Sequence, residues 1–66
     1  MEFLCKKDCF MEGFPDEQVF TAGKKYREIQ YSSEHGHRVM DDEHEWNWIG
    51  FPGEKFFDEY FGDETA

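Results

Sequence analysis

The stretch that decides the fold is residues 25–49, KYREIQYSSEHGHRVMDDEHEWNWI. Lys25 to Tyr31 sets Tyr26, Ile29 and Tyr31 among charged residues, the mark of a strand with one wet face. Tyr26 and Ile29 are out of step with a period of two, so the strand has room for a bulge. Ser32-Ser33-Glu34-His35-Gly36 reads as a hairpin turn. Arg38-Val39-Met40-Asp41 and Glu45-Trp46-Asn47-Trp48-Ile49 read as the next two strands, joined by Asp42-Glu43-His44. Side chains alternate along a pleated strand, so Trp46 and Trp48 share one face and Glu45 and Asn47 the other.

C-terminal to this meander, Phe56, Phe57, Tyr60 and Phe61 fall on one stripe of a short helix spanning Glu54 to Phe61. Pro52-Gly53 precedes it and Gly62 stops it. About two turns cannot stand alone in water. Phe57, Tyr60 and Phe61 should therefore be buried against strands that contribute Leu4, Tyr26, Ile29 and Val39. The last residues, 63–66, read as a frayed tail. On the N-terminal side, Phe3-Leu4-Cys5 opens the chain as a short strand, and Val19-Phe20-Thr21 is β-prone. Residues 6–21 hold Gly13 and Pro15 without a clean period and read as a long loop between the first two strands. The expectation is one domain over residues 1–66: mainly β, a small antiparallel barrel with one short C-terminal helix.

Composition bounds the function. A chain of 66 residues holds one small core, and eight Phe, three Tyr and two Trp supply it without staples. The same aromatic content argues against disorder, despite a net charge of -9. Seven Lys and Arg against sixteen Asp and Glu leave no basic footprint, which disfavours nucleic acid and anionic membrane as direct ligands. A partner protein with a basic surface, such as a nucleic-acid-binding protein, is favoured. No apolar run is long enough for a membrane span. The opening residues lack the apolar core of a secretory signal. Two cysteines do not make a disulfide framework. These features read as a reduced, cytoplasmic protein, monomeric or weakly self-associating.

The order of motifs carries a resemblance. An opening Phe3-Leu4-Cys5-Lys6 strand is followed by Phe10-Met11-Glu12-Gly13, then Phe20-Thr21-Ala22-Gly23-Lys24-Lys25-Tyr26. Val39-Met40-Asp41-Asp42-Glu43-His44 and a closing Phe57-Asp58-Glu59-Tyr60-Phe61 complete it. Over nearly its whole length the chain resembles small proteins encoded by phages and prophages of Gram-positive bacteria. The resemblance implies a five-stranded Src-homology-three-like barrel, with host cytoplasm as the compartment, and brings no settled activity with it. Glu28 stands where such proteins more often carry an apolar residue, and Trp46 and Trp48 are unusually large.

Cys5, Cys9, His35, His37 and His44 are the ligand types of a zinc site, but their spacing fits no finger pattern. The alternative is a buried Cys5, a half-exposed Cys9 and solvated turn histidines. Asp41-Asp42-Glu43-His44-Glu45 lacks the alternation and the glycine of a calcium loop. Together with Glu12, Asp16, Glu17, Glu34, Asp58, Glu59, Asp63 and Glu64 it makes a broad negative surface. Such a surface either keeps the protein soluble or mimics nucleic acid. Ser32 and Ser33 have His35 near them in sequence but no third group and no pocket, so no catalytic residue is assigned, and no metal or cofactor. Trp46, Trp48, Phe51, Phe14 and Phe10 read first as core, and the alternative is that thirteen aromatics are more than a barrel of this size buries. Whichever indole stays exposed beside the acids is an interface anchor.

The leading reading is therefore a binding module that docks on a host or phage protein and modulates it. Its contact residues would be Asp41, Asp42, Glu43, Glu45, Trp46 and Trp48. The alternatives are a homo-oligomeric assembly protein, a nucleic-acid mimic and a small zinc-stabilised domain.

Overall fold

The computed structural model describes residues 1–63. In chain order the elements are β1 (Glu2–Cys5), β2 (Cys9–Met11), β3 (Phe14–Phe20), β4 (Lys25–Ser32), β5 (Gly36–Met40), β6 (Trp46–Gly50), α1 (Lys55–Tyr60) and β7 (Phe61–Asp63). Five strands form one antiparallel sheet in the order β6-β5-β4-β1-β7, and β2 and β3 form a separate hairpin. The sheet curls, and α1 packs against both of its edge strands, β6 and β7. The result is a half-barrel whose open side the helix spans. No helix among the described residues is long and apolar enough to cross a membrane.

Alternation explains the faces. Phe3 pairs with Tyr26 across β1 and β4, and both are buried, while their neighbours Glu2, Arg27 and Lys25 are exposed. Val39 and Ile49 continue the inner face on β5 and β6. From the hairpin and the C-terminal segment come Cys9, Val19, Phe20, Phe57 and Phe61. Phe20 meets Tyr26 and Phe61 edge to face at 5.0 Å between ring centres in each case. That geometry aligns ring edges with ring faces and adds to the area buried. Gly36 has φ +93°, and a Cβ there would lie 2.4 Å from the carbonyl carbon of Gly50. The turn between β4 and β5 can thus enter β5 only with glycine, because the ends of β5 and β6 touch through their backbones.

The structure corrects the sequence reading at several points. Residues 6–21 are not a loop: Gly13, at φ +83°, turns β2 into β3, and Cys9, Val19 and Phe20 fill the core from that hairpin. Cys9 is buried, not half-exposed, and it lies on β2 while Cys5 lies on β1. Both thiols are free. Phe61 is not on the helix; its N–H closes the last helical turn on the carbonyl of Phe57 and the chain then runs extended as β7. Phe57 and Phe61 are buried as expected, but Tyr60 is only half-buried, and Phe56 is exposed. Tyr26 and Val39 face the core, whereas Ile29 does not. Ile29 lies three residues beyond the inward Tyr26, so simple alternation turns it outward, and the bulge between Glu28 and Gln30 does not bring it back. Leu4, half-buried, points away from Phe3 and Cys5. Of the expected tail, Asp63 pairs with Phe3 in β7, and 64–66 lie outside the described residues.

Candidate docking surface

The β5–β6 turn divides its carboxylates in two. Asp41 is buried, and its Oδ1 accepts the N–H groups of Glu43 and Glu45 at 2.8 and 2.9 Å, while Asn47 Nδ2 donates to Oδ2. An aspartate side chain satisfying backbone donors further along the chain is the local device that shapes such a turn. His44, at φ +64°, sits in the left-handed region and donates its N–H to the carbonyl of Asp41. Asp42 reaches the other way. Its Oδ1 accepts from Lys24 Nζ and Tyr26 OH, both at 2.8 Å, and its Oδ2 accepts from Thr21 Oγ1 at 2.7 Å. Its N–H donates to the carbonyl of Val19 at 2.9 Å. One residue therefore ties the turn to β3 and β4. Burial alone would push the Asp42 carboxyl up, but the bonds from Lys24, Thr21 and Tyr26 outweigh it and hold it below its ordinary range. Burial, aided by the Asp42 charge, pushes the Tyr26 phenol up to about 12.

Glu43 and Glu45 are exposed. Partial desolvation and then the charges of Glu17, Asp41 and Glu45 raise the Glu43 carboxyl above its usual value. The exposed acids Glu17, Glu43 and Glu45 thus form one negative cluster where β3 meets the turn. Of the four acids assigned to a docking face from sequence, Asp41 and Asp42 are engaged inside the fold, and Glu43 and Glu45 remain available.

Trp46 and Trp48 both point outward, at 55% and 36% exposure, so neither belongs to the core. Between them lies Arg38, whose guanidinium carbon is 5.0 Å from one ring centre and 5.1 Å from the other. Arg38 donates to Gln30 Oε1 at 2.9 Å. His35 covers part of Trp48 at 5.3 Å. The indoles are therefore held by a cation and a neighbouring strand, and lose little freedom on binding. Lys25 and Arg27 lie on this outer face by alternation with Tyr26.

At the free edge of β6 the surface becomes concave. A groove of about 250 Å³ runs between β6 and the β2–β3 hairpin, walled by Phe10, Met11, Trp48 and Phe56. Phe10, Met11 and Phe56 are 46, 37 and 40% exposed. Phe10 was legible as surplus to the core; Phe56 was not, because its place on the helical stripe promised burial. Among the described residues no three His, Cys, Asp or Glu side chains converge to hold a metal ion. Burial raises both cysteine thiols, which makes them poor thiolate ligands. In comparisons with protein-family models, curated proteins and solved structures, nothing matches this chain.

Proposed function

We propose that the chain is a phage-encoded module with a Src-homology-three-like barrel that docks on a protein partner and modulates it. The barrel reading is supported by strand order: a three-strand meander, one short helix, and a last strand that returns to pair with the first. The docking reading rests on one observation, the outward indoles of Trp46 and Trp48 fixed on Arg38, on the strand that follows the turn carrying the exposed Glu43 and Glu45. Rigid, exposed aromatic anchors ringed by polar groups are what interface hot spots are made of. The partner carries a basic patch facing Glu17, Glu43 and Glu45. It also carries carboxylates where it meets Lys25 and Arg27, so complementarity in both signs sets the orientation.

Capture from a bacterial lysate on the immobilised protein, followed by mass spectrometry, tests this. The same partner should be retained by the wild type and lost from Trp46→Ala and Trp48→Ala chains that melt normally. Equal capture by those variants would refute the reading. A second reading, a homo-oligomer, is favoured by the edge of β6, unpaired among the described residues, beside an apolar groove. Light scattering decides it: a dimer that Phe56→Ser dissociates would replace the first reading.

A further inference from the structure

The free edge of β6 is formed by the backbones of the two tryptophans. Asp41 donates its N–H to the Glu45 carbonyl at 2.8 Å, which makes them a hydrogen-bonded pair of the β5–β6 ladder. Such pairs alternate with pairs whose N–H and C=O groups turn away from the partner strand. The register runs without a shift through Met40↔Trp46, Val39↔Asn47 and Arg38↔Trp48. Asn47 is therefore bonded to Val39, and the N–H and C=O groups of Trp46 and Trp48 point away from β5. β6 ends the sheet, and these groups have no partner among the described residues.

Beside this edge lies the groove walled by Phe10, Met11, Trp48 and Phe56, each at least 36% exposed. A side chain entering it meets open apolar surface. The flanking segments are acidic without compensation. Residues 9–20 hold the exposed Glu12, Asp16 and Glu17 and no Lys or Arg. Residues 41–50 expose Glu43 and Glu45, again with no Lys or Arg. Glu17, Glu43 and Glu45 gather where β6 begins. Lys55 enters only on the far side of Phe56, beside Glu12 and Glu59. The edge thus offers backbone donors and acceptors in a row, an apolar groove and an acidic end. A second copy of this chain would bring another charge of -9 onto those acids, which favours a basic occupant instead.

We propose that β6 accepts an extended segment of a protein partner as an added antiparallel strand. Main-chain bonds to Trp46 and Trp48 hold it, and apolar side chains at alternate positions fill the groove. Lys or Arg residues at its C-terminal end meet Glu17, Glu43 and Glu45. Antiparallel pairing is the more stable kind, and it sets that end beside the start of β6. The inference rests on the reading of the chain as a docking module and adds the edge of β6 to the indole face.

NMR of the full chain during titration with the peptide acetyl-Val-Thr-Val-Thr-Val-Lys-Lys-amide tests this. The peptide should shift Phe10, Met11, Trp46, Trp48 and Phe56. At about nine-tenths saturation it should slow solvent exchange of the Trp46 and Trp48 amides about tenfold and leave that of Asn47 unchanged. The same peptide ending in Glu-Glu, or with Ser in place of each Val, should bind at least about tenfold more weakly. Phe10→Ser and Phe56→Ser, at exposed positions, should each weaken binding several-fold. Glu17→Gln, Glu43→Gln and Glu45→Gln combined should narrow the preference for Lys-Lys over Glu-Glu. No shifts up to about 5 mM peptide would overturn the proposal. So would shifts that leave the Trp46 and Trp48 amides exchanging freely. A doubled mass in light scattering, with those amides already slow in the free chain, would give the edge to a second copy and overturn it too. The two readings fail separately. Partner capture that needs the indoles, with no peptide bound, removes the edge alone; peptide bound, with capture indifferent to the indoles, removes the outer face alone.

Discussion

Inside the curl, Phe20 stacks edge to face on Tyr26 and on Phe61; outside it, Trp46 and Trp48 flank a guanidinium. The inner rings are 1–3% exposed and the indoles 55% and 36%. The carboxylates of the neighbouring turn divide in the same way. Asp41 and Asp42 are consumed by backbone, amide, ammonium and hydroxyl donors, while Glu43 and Glu45 face water beside Glu17. The same residue types thus serve two ends, and strand direction decides which. Inward rings stabilise through the area they remove from water. Outward rings leave that area for a partner to cover. Stability and recognition should therefore be separable by mutation.

The largest effect expected is on the inner face. Phe61→Ala should cost about 3–5 kcal/mol, close to the whole stability of so small a domain, and denaturant titration will show whether any folded baseline survives. A loss no greater than that of Trp46→Ala would erase the distinction between the two faces.

The inward acids come next. Asp41→Ala strands two backbone N–H groups and the Asn47 amide, and Asp42→Asn removes the charge that Lys24, Tyr26 and Thr21 share. Each should cost about 1–3 kcal/mol in urea midpoint analysis. Asp42 also sharpens the comparison through pH. Its folded carboxyl lies below the ordinary 3.8, so its contribution is complete above that value and is lost as pH falls through the folded one. Melts taken from about pH 5 down to about pH 2 should show a shallower acid limb for Asp42→Asn than for the wild type.

Tyr26 gives the alkaline counterpart. Its phenol is raised from 10.0 to about 12, so the stability tied to its proton is present below 10.0 and lost as pH rises toward 12. Spectrophotometric titration should find one tyrosine ionising near that upper value, and Tyr26→Phe should remove it. The smallest effects belong outside. Trp46→Ala should change stability by less than about 1 kcal/mol. Glu43→Gln should leave the midpoint unchanged or slightly raised, because it removes a charge that Glu17 and Glu45 repel. A large loss from either would mean that the outer face helps to hold the fold.

Much of this division could be read from the sequence. The period of two settles that Trp46 and Trp48 share a face, since it needs no partner to be known. The meander and the C-terminal helix follow from turn residues and aromatic spacing. The β2–β3 hairpin did not show, because register shifts on both sides of Phe10 break the alternation by which strands are recognised. Ile29 was misplaced for the opposite reason: it looked like a core residue, but three positions after Tyr26 plain alternation turns it outward. The fates of Asp41 and Asp42 were hidden more deeply. The five consecutive polar residues from Asp41 to Glu45 look alike in sequence, and what draws Asp42 inward is Thr21, Lys24 and Tyr26, supplied by another part of the chain. His37 read as a turn residue because its partner Glu28 meets it only once β4 and β5 are paired.

The central claim is that the outer face docks on a protein through charge and anchored indoles. The most direct test is association and dissociation kinetics of the captured partner across roughly 0.05 to 0.5 M salt, where the screening length falls from above 10 Å toward 3 Å. The wild type should associate more slowly as salt rises. Glu17→Gln, Glu43→Gln and Glu45→Gln combined should slow association and flatten that dependence, leaving the lifetime of the complex nearly unchanged. Trp46→Ala should shorten the lifetime by an amount on the order of 2 kcal/mol or more. Association indifferent to salt, with a lifetime indifferent to Trp46, would contradict the account and leave the acids as a solubility device.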